Sequence, residues 1–140
     1  MSPVDSPFHT LEDFLVNHPS LPKHIIIDFH AESTAEKRTM GFYFDGRVSA
    51  LLGTHTHIQT ADEEIQNGGT AYITDVGMCG PHDSVIGIRK EIAIEKARTG
   101  MPVRHVTAES GLQVNAVYLE LDDTTGKALH ITRIREKINH

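Results

Sequence analysis

The chain has 140 residues and a formal net charge of −6, from 19 acidic and 13 basic side chains. This is the size of one ordinary domain with a continuous core, and 39% apolar with 23% charged residues exclude a disordered or fibrous chain. The acidic balance excludes a surface built to grip long nucleic acid through clustered Lys and Arg, and the lone cysteine, Cys79, excludes an intrachain disulfide and suits a reducing compartment.

The N-terminal residues MSPVDSPFHT carry no charged-then-apolar signal pattern, and no run approaches the roughly 18 apolar residues of a membrane span. A cytoplasmic protein with no membrane partner is therefore expected. Residues 10–18 predict a short helix, with Thr10 as cap, acids in the first turn and apolar Leu11, Phe14 and Leu15. Pro19 and Pro22 end it.

Ile25, Ile26 and Ile27 form a β-branched run expected to be a strand buried on both faces. Asp28-Phe29-His30-Ala31-Glu32 begins where that run stops, and the ends of strands are where ligand sites lie in open α/β sheets. Residues 34–45 predict a helix from Thr34, ended by Gly46, and residues 48–52 the next strand.

Gly53-Thr54-His55-Thr56-His57 again sets histidines just past a strand end. Residues 71–76 predict a third strand closing on the turn-forming Gly77-Met78-Cys79-Gly80-Pro81, and residues 89–98 a helix ended by Gly100 and Pro102. Val117, Leu119 and Leu121, a turn at residues 123–126, and Leu129, Ile131 and Ile134 predict a β-hairpin. No repeat or linker divides the chain, so residues 1–140 are read as one unit.

Ten histidines are present, and three of them sit where metal chemistry needs ligands. Imidazole nitrogens bind transition ions at about 2.0–2.2 Å, and several must converge on one point. His55 and His57 are two residues apart, so they share a face and reach a common ion if the backbone stays extended. If it turns sharply, each can serve a different ion; loop histidines bonded to nearby backbone are the alternative to both. His30 is flanked by Asp28 and Glu32, and ligating histidines lean on such carboxylates. Asp75, Glu32 and Asp28 are outer-sphere candidates or loop caps, and Gly77 to Gly80 serve a turn in preference to a phosphate cradle. His82 is a lesser candidate for substrate contact. His9, His18, His24, His105, His130 and His140 are expected at the surface or locally bonded, and Cys79 is expected to be a buried, inert thiol.

The blocks IDFHAE at residues 27–32, GRVSA at 46–50, GTHTHIQTAD at 53–62 and GTAYITDVGM at 69–78 resemble consecutive blocks of the YmdB-like metallophosphoesterases. The resemblance runs from about Pro3 to Ile134. It implies the C-terminal half of a calcineurin-like, four-layer αββα sandwich, so that residues 1–140 are a single partial domain ending in the hairpin. The implied activity is hydrolysis of a small phosphodiester such as a 2′,3′-cyclic nucleotide by a hydroxide activated between two divalent metals, Fe or Mn first and Zn next. On this resemblance His30 and His55 bind one metal and His57 the other.

The family's earlier ligands and its proton-donating histidine have no counterpart before Asp28, and Asn67-Gly68-Gly69 reads as a turn rather than a ligand motif. The chain is thus expected to be a fragment, the product of a split or internally initiated gene, or a remnant without catalysis. Three neutral imidazoles cannot bridge two cations or offset their charge, so the chain alone is expected to bind at most one metal and to hydrolyse little. A homo-oligomer or a complementing N-terminal half is the expected partner, because a sheet without its neighbour exposes an edge and an apolar face. A non-catalytic metal-binding or interaction module is the alternative. An amidohydrolase, which also carries H-x-H at a strand end, needs a barrel of about 200 residues or more.

Overall fold

The structure, a computed structural model, describes residues 4–18 and 20–138. Pro19, expected to break the first helix, and His140 lie outside them.

Helix α1 (Pro7–Asn17) begins at Pro7 rather than Thr10. Proline's fixed φ suits the first helical turn, where no intrahelical N–H bond is forfeited. Strand β1 (Ile26–His30) leads into α2 (Thr34–Tyr43), whose N-cap Ser33 accepts a bond from the Glu36 N–H. Strand β2 (Ala50–Thr54) starts two residues later than expected and takes in Gly53 and Thr54, so His55 is the first residue beyond it. The short β3 (Glu64–Ile65), which the sequence pattern did not signal, precedes β4 (Ala71–Ile73).

These four strands make one sheet in the order β1-β2-β4-β3, with β1, β2 and β4 parallel and β3 antiparallel. Parallel neighbours need a crossover, and α2 supplies it between β1 and β2. The register sets Phe29 beside Gly53 and His30 beside Thr54.

A second, antiparallel sheet contains β5 (Gly80–Pro81), β6 (Leu112–Leu121) and β7 (Ala128–Lys137). Between β5 and β6 lies α3 (Lys90–Thr99), closed by Gly100 at φ 68°, the left-handed cap that glycine adopts without strain. The hairpin is longer than its alternating core suggested, ten residues on each arm.

The core lies on both faces of the first sheet. On one, Met40, Phe44, Val48, Leu51 and Tyr72 form a buried cluster against which Phe8, Leu11 and Leu15 of α1 and Ile25, Ile27 and Phe29 pack. Each fully buried side chain of this size contributes about 1.5–3 kcal/mol. On the other face, Ala50, Ala71 and Ala128 bring the two sheets together, with Leu52, Leu119, Leu121 and Ile131 around them.

One expectation fails here. The isoleucine run is not buried on both faces: β1 alternates exposed and half-buried, and Ile26 is 52% exposed. The cause is topological, since β1 is an edge strand and the hairpin covers β2 and β4 instead. Among the described residues no helix is long and apolar enough to cross a membrane.

Candidate metal centre

His30 is the last residue of β1 and His55 follows the last residue of β2, so the parallel register brings both imidazoles to the same end of the sheet. His30 Nε2 lies 3.3 Å from His55 Nδ1, with ring planes crossed at 73°. The other nitrogen of His30 is engaged: Nδ1 is 3.2 Å from Thr54 Oγ1, whose hydroxyl donates to Asp28 Oδ1 at 3.4 Å. A hydroxyl that donates to the carboxylate has its lone pairs left for His30 Nδ1–H, so the relay assigns the tautomer with the Nε2 lone pair toward His55.

His57 lines the same shallow recess, of about 170 Å³, together with His30, Thr54, His55, Asp75, Gly77 and Met78. The backbone does not stay extended through the H-x-H segment, for φ is 147° at His55 and 64° at His57. Non-glycine residues rarely adopt such angles, and they persist only where surrounding bonds enforce them. His30 and His55 touch across the strand ends, and His57 lines the recess beside them. Among the described residues no three His, Cys, Asp or Glu side chains cluster closely enough to hold one ion. All three histidines line one recess, and of them His30 and His55 are in direct contact.

Asp75 ties the turn to the neighbouring loop. Its Oδ2 accepts the Thr56 N–H at 2.7 Å and its Oδ1 the Gly77 N–H at 2.9 Å. The His57 carbonyl accepts the Met78 N–H at 3.1 Å. Gly77 itself holds φ at 82°, in the left-handed region.

Just beyond, Asp62 accepts from the hydroxyls of Thr60 at 2.6 Å and Thr74 at 2.5 Å and from the Thr74 N–H at 3.2 Å. Burial pushes the Asp62 carboxyl up, but these bonds outweigh it and hold the group below the ordinary aspartate value.

The remaining candidates fall elsewhere. Asp28 joins the His30 relay, while Glu32 is exposed. His82 contacts the Met78 carbonyl and the Asn115 amide in a separate cavity lined by Gln59, Gln113, Arg133 and Arg135. His9, His18, His24, His105 and His130 are exposed, as expected. Cys79 is exposed rather than buried, with its Sγ 3.2 Å from the Asn115 carbonyl, because it sits on the turn leading into the two-residue β5.

Two participants were not singled out from sequence. Thr54 precedes His55 in sequence but meets His30 across the strands, a pairing that only the parallel register reveals. Lys37 carries no local signal at all.

Mixed sheet, crossover helix and antiparallel hairpin, with histidines at the strand ends, define the chain as an α/β protein. The chain belongs to the YmdB-like protein family, whose description matches residues 1–134. It is 45% identical over 140 residues to a Bacillus subtilis protein named 2′,3′-cyclic-nucleotide 2′-phosphodiesterase, covering 100% of this chain and 53% of that protein.

A crystal structure of a novel phosphatase from Mycoplasma pneumoniae superposes with a TM-score of 0.88 at 40% identity, over 94% of this chain and 47% of that one. A hypothetical protein from Thermus thermophilus gives a TM-score of 0.89 at 35% identity, over 98% and 53%. The chain spans about half the length of the curated relatives it matches.

Proposed function

We propose that this chain is the metal-binding half of a phosphodiesterase acting on a small phosphodiester such as a 2′,3′-cyclic nucleotide, with His30 and His55 ligating one divalent ion and His57 a second. The observation that carries this reading is the 3.3 Å contact between His30 Nε2 and His55 Nδ1. Two nitrogens each about 2.1 Å from one ion sit roughly 3.0 Å apart at an octahedral right angle and roughly 3.4 Å apart in a tetrahedron. The separation of these two nitrogens therefore matches that of two ligands on one ion.

The relay from Asp28 through Thr54 supports the assignment, because ligating histidines have their second nitrogen held in this way. Divalent ions held there supply Lewis acidity toward phosphoryl oxygens and activation of water near neutral pH. The chain's own part is to present two oriented imidazoles, hold the third on an adjacent turn, and keep the recess open to a small substrate.

The family resemblance makes iron or manganese the expected metal, with zinc next; the imidazoles themselves serve all three. A complementing N-terminal half, or a second copy, would bring the carboxylates that balance two cations and the acid that protonates the leaving oxygen.

Titrating Mn²⁺ into the chain by calorimetry tests the reading. About one ion per chain is expected, lost in His30→Ala and His55→Ala, with hydrolysis of bis(p-nitrophenyl)phosphate near the blank rate. Binding that is indifferent to both substitutions would overturn the ligand assignment, and robust turnover by the pure chain would overturn the need for a complementing half. Copurification of a stoichiometric partner carrying Asp, Glu and Asn ligand motifs separates this reading from a non-catalytic interaction module.

A further inference from the structure

We propose that the buried pair Lys37–Asp75 is a positioning device that clamps the backbone on both sides of His55, and so sets where the H-x-H imidazoles stand. Its effect on metal affinity rests on the reading given under Proposed function; its effect on the loop does not.

Lys37 is a lysine on a three-turn helix, where solvent is the usual home of the ammonium, yet its side chain is 0% exposed and that of Asp75 is 1%. A buried ammonium persists only with a counter-charge and bonds for its protons. Nζ lies 3.4 Å from Asp75 Oδ2 and donates to the Thr54 carbonyl at 3.2 Å. That same Oδ2 accepts the Thr56 N–H at 2.7 Å. The residue before His55 and the residue after it are thus tied to one ion pair, and His55 between them holds φ at 147°. The other carboxylate oxygen reaches the Gly77 N–H at 2.9 Å, joining the second loop of the recess to the same anchor.

Gly53 makes room for this arrangement, since a Cβ there would stand 2.9 Å from Lys37 Cδ and 1.9 Å from the Thr74 carbonyl oxygen. A stability role alone accounts poorly for the pair, because well-packed apolar side chains in place of a buried ion pair are commonly neutral or stabilising. What apolar residues cannot do is accept two loop N–H groups and donate to a loop carbonyl.

The test is amide hydrogen exchange on the metal-free chain and its Lys37→Met/Asp75→Leu variant, in which position 75 can no longer accept either N–H, followed by Mn²⁺ titration of both. In the variant the Thr56 and Gly77 amides are expected to exchange at least about tenfold faster while the β6–β7 amides keep their protection. The Mn²⁺ dissociation constant is expected to rise about 10–100-fold. Unchanged protection of Thr56 and Gly77 in the folded variant would overturn the proposal.

A second measurement needs no variant: the Lys37 ammonium of the wild-type chain should give a resolved nitrogen resonance with slowly exchanging protons, and exchange as fast as that of exposed lysines would equally overturn it. If Mn²⁺ binding ignores His30→Ala and His55→Ala, the metal reading fails while the amide measurement still decides the clamp.

Discussion

Among the glycines, Gly53 is where an added methyl would meet the closest neighbour. The added methyl would stand 1.9 Å from the Thr74 carbonyl oxygen and 2.7 Å from its carbon, both backbone atoms. Ordinary contact needs about 3.4 Å or more, so β2 and the segment after β4 must separate by over an ångström. That separation breaks the bond from the Val76 N–H to the Gly53 carbonyl, 2.9 Å long, and presses on the Lys37 stem.

Overpacking by one methylene costs about 1–3 kcal/mol where side chains can yield. Here backbone must yield, and the expected loss is at the upper end, about 3 kcal/mol, equivalent to roughly 10 °C in a chain of this length. Urea and thermal denaturation followed by circular dichroism give both figures. Gly87→Ala is the control: its φ is 94° but nothing lies within 4 Å of the added atom, so it bears only the backbone cost of about 1 kcal/mol. A Gly53→Ala chain that melts within 2–3 °C of the wild type, or no lower than Gly87→Ala, would refute the steric reasoning (a shift within about 1 kcal/mol).

Other outcomes follow from single features. Asp62 titrates lower in the folded chain than its unfolded value of 3.8, so its bonds stabilise fully above that value and are lost as pH falls through the depressed folded one. The stability gap between wild type and Asp62→Asn should accordingly be flat near neutrality and shrink below about pH 4; a gap constant down to pH 3 would remove the argument. Leu51→Ala, at a position with no exposure in the main cluster, should cost about 2–5 kcal/mol in urea denaturation. Cys79 is exposed, so one thiol per chain should react with Ellman's reagent without denaturant. Ile26 stands 52% exposed on an edge strand; light scattering should show concentration-dependent association of the wild type that Ile26→Lys reduces, because a charge on an edge opposes strand pairing.

Much of this architecture was readable one segment at a time. The short helix, the strand–helix–strand passage through residues 26–54, the third strand from Ala71 and the terminal hairpin follow from local periodicity, caps and turn formers, which act within a few residues. Motif blocks carried the family and pointed to His30, His55 and His57, since those residues stand where apolar runs end.

What tertiary structure decided is everything that depends on a neighbour distant in sequence. Ile25–Ile27 reads the same in a central strand as at an edge, and only the order β1-β2-β4-β3 exposes Ile26. The spacing of His55 and His57 is the same in an extended chain and in a turn; Asp75, some twenty residues on, accepts the Thr56 N–H inside the turned segment. Lys37 is an unremarkable helix lysine until Gly53 leaves space for its stem and Asp75 receives its charge. Burial and pairing are properties of the assembled core, so no local pattern could announce them.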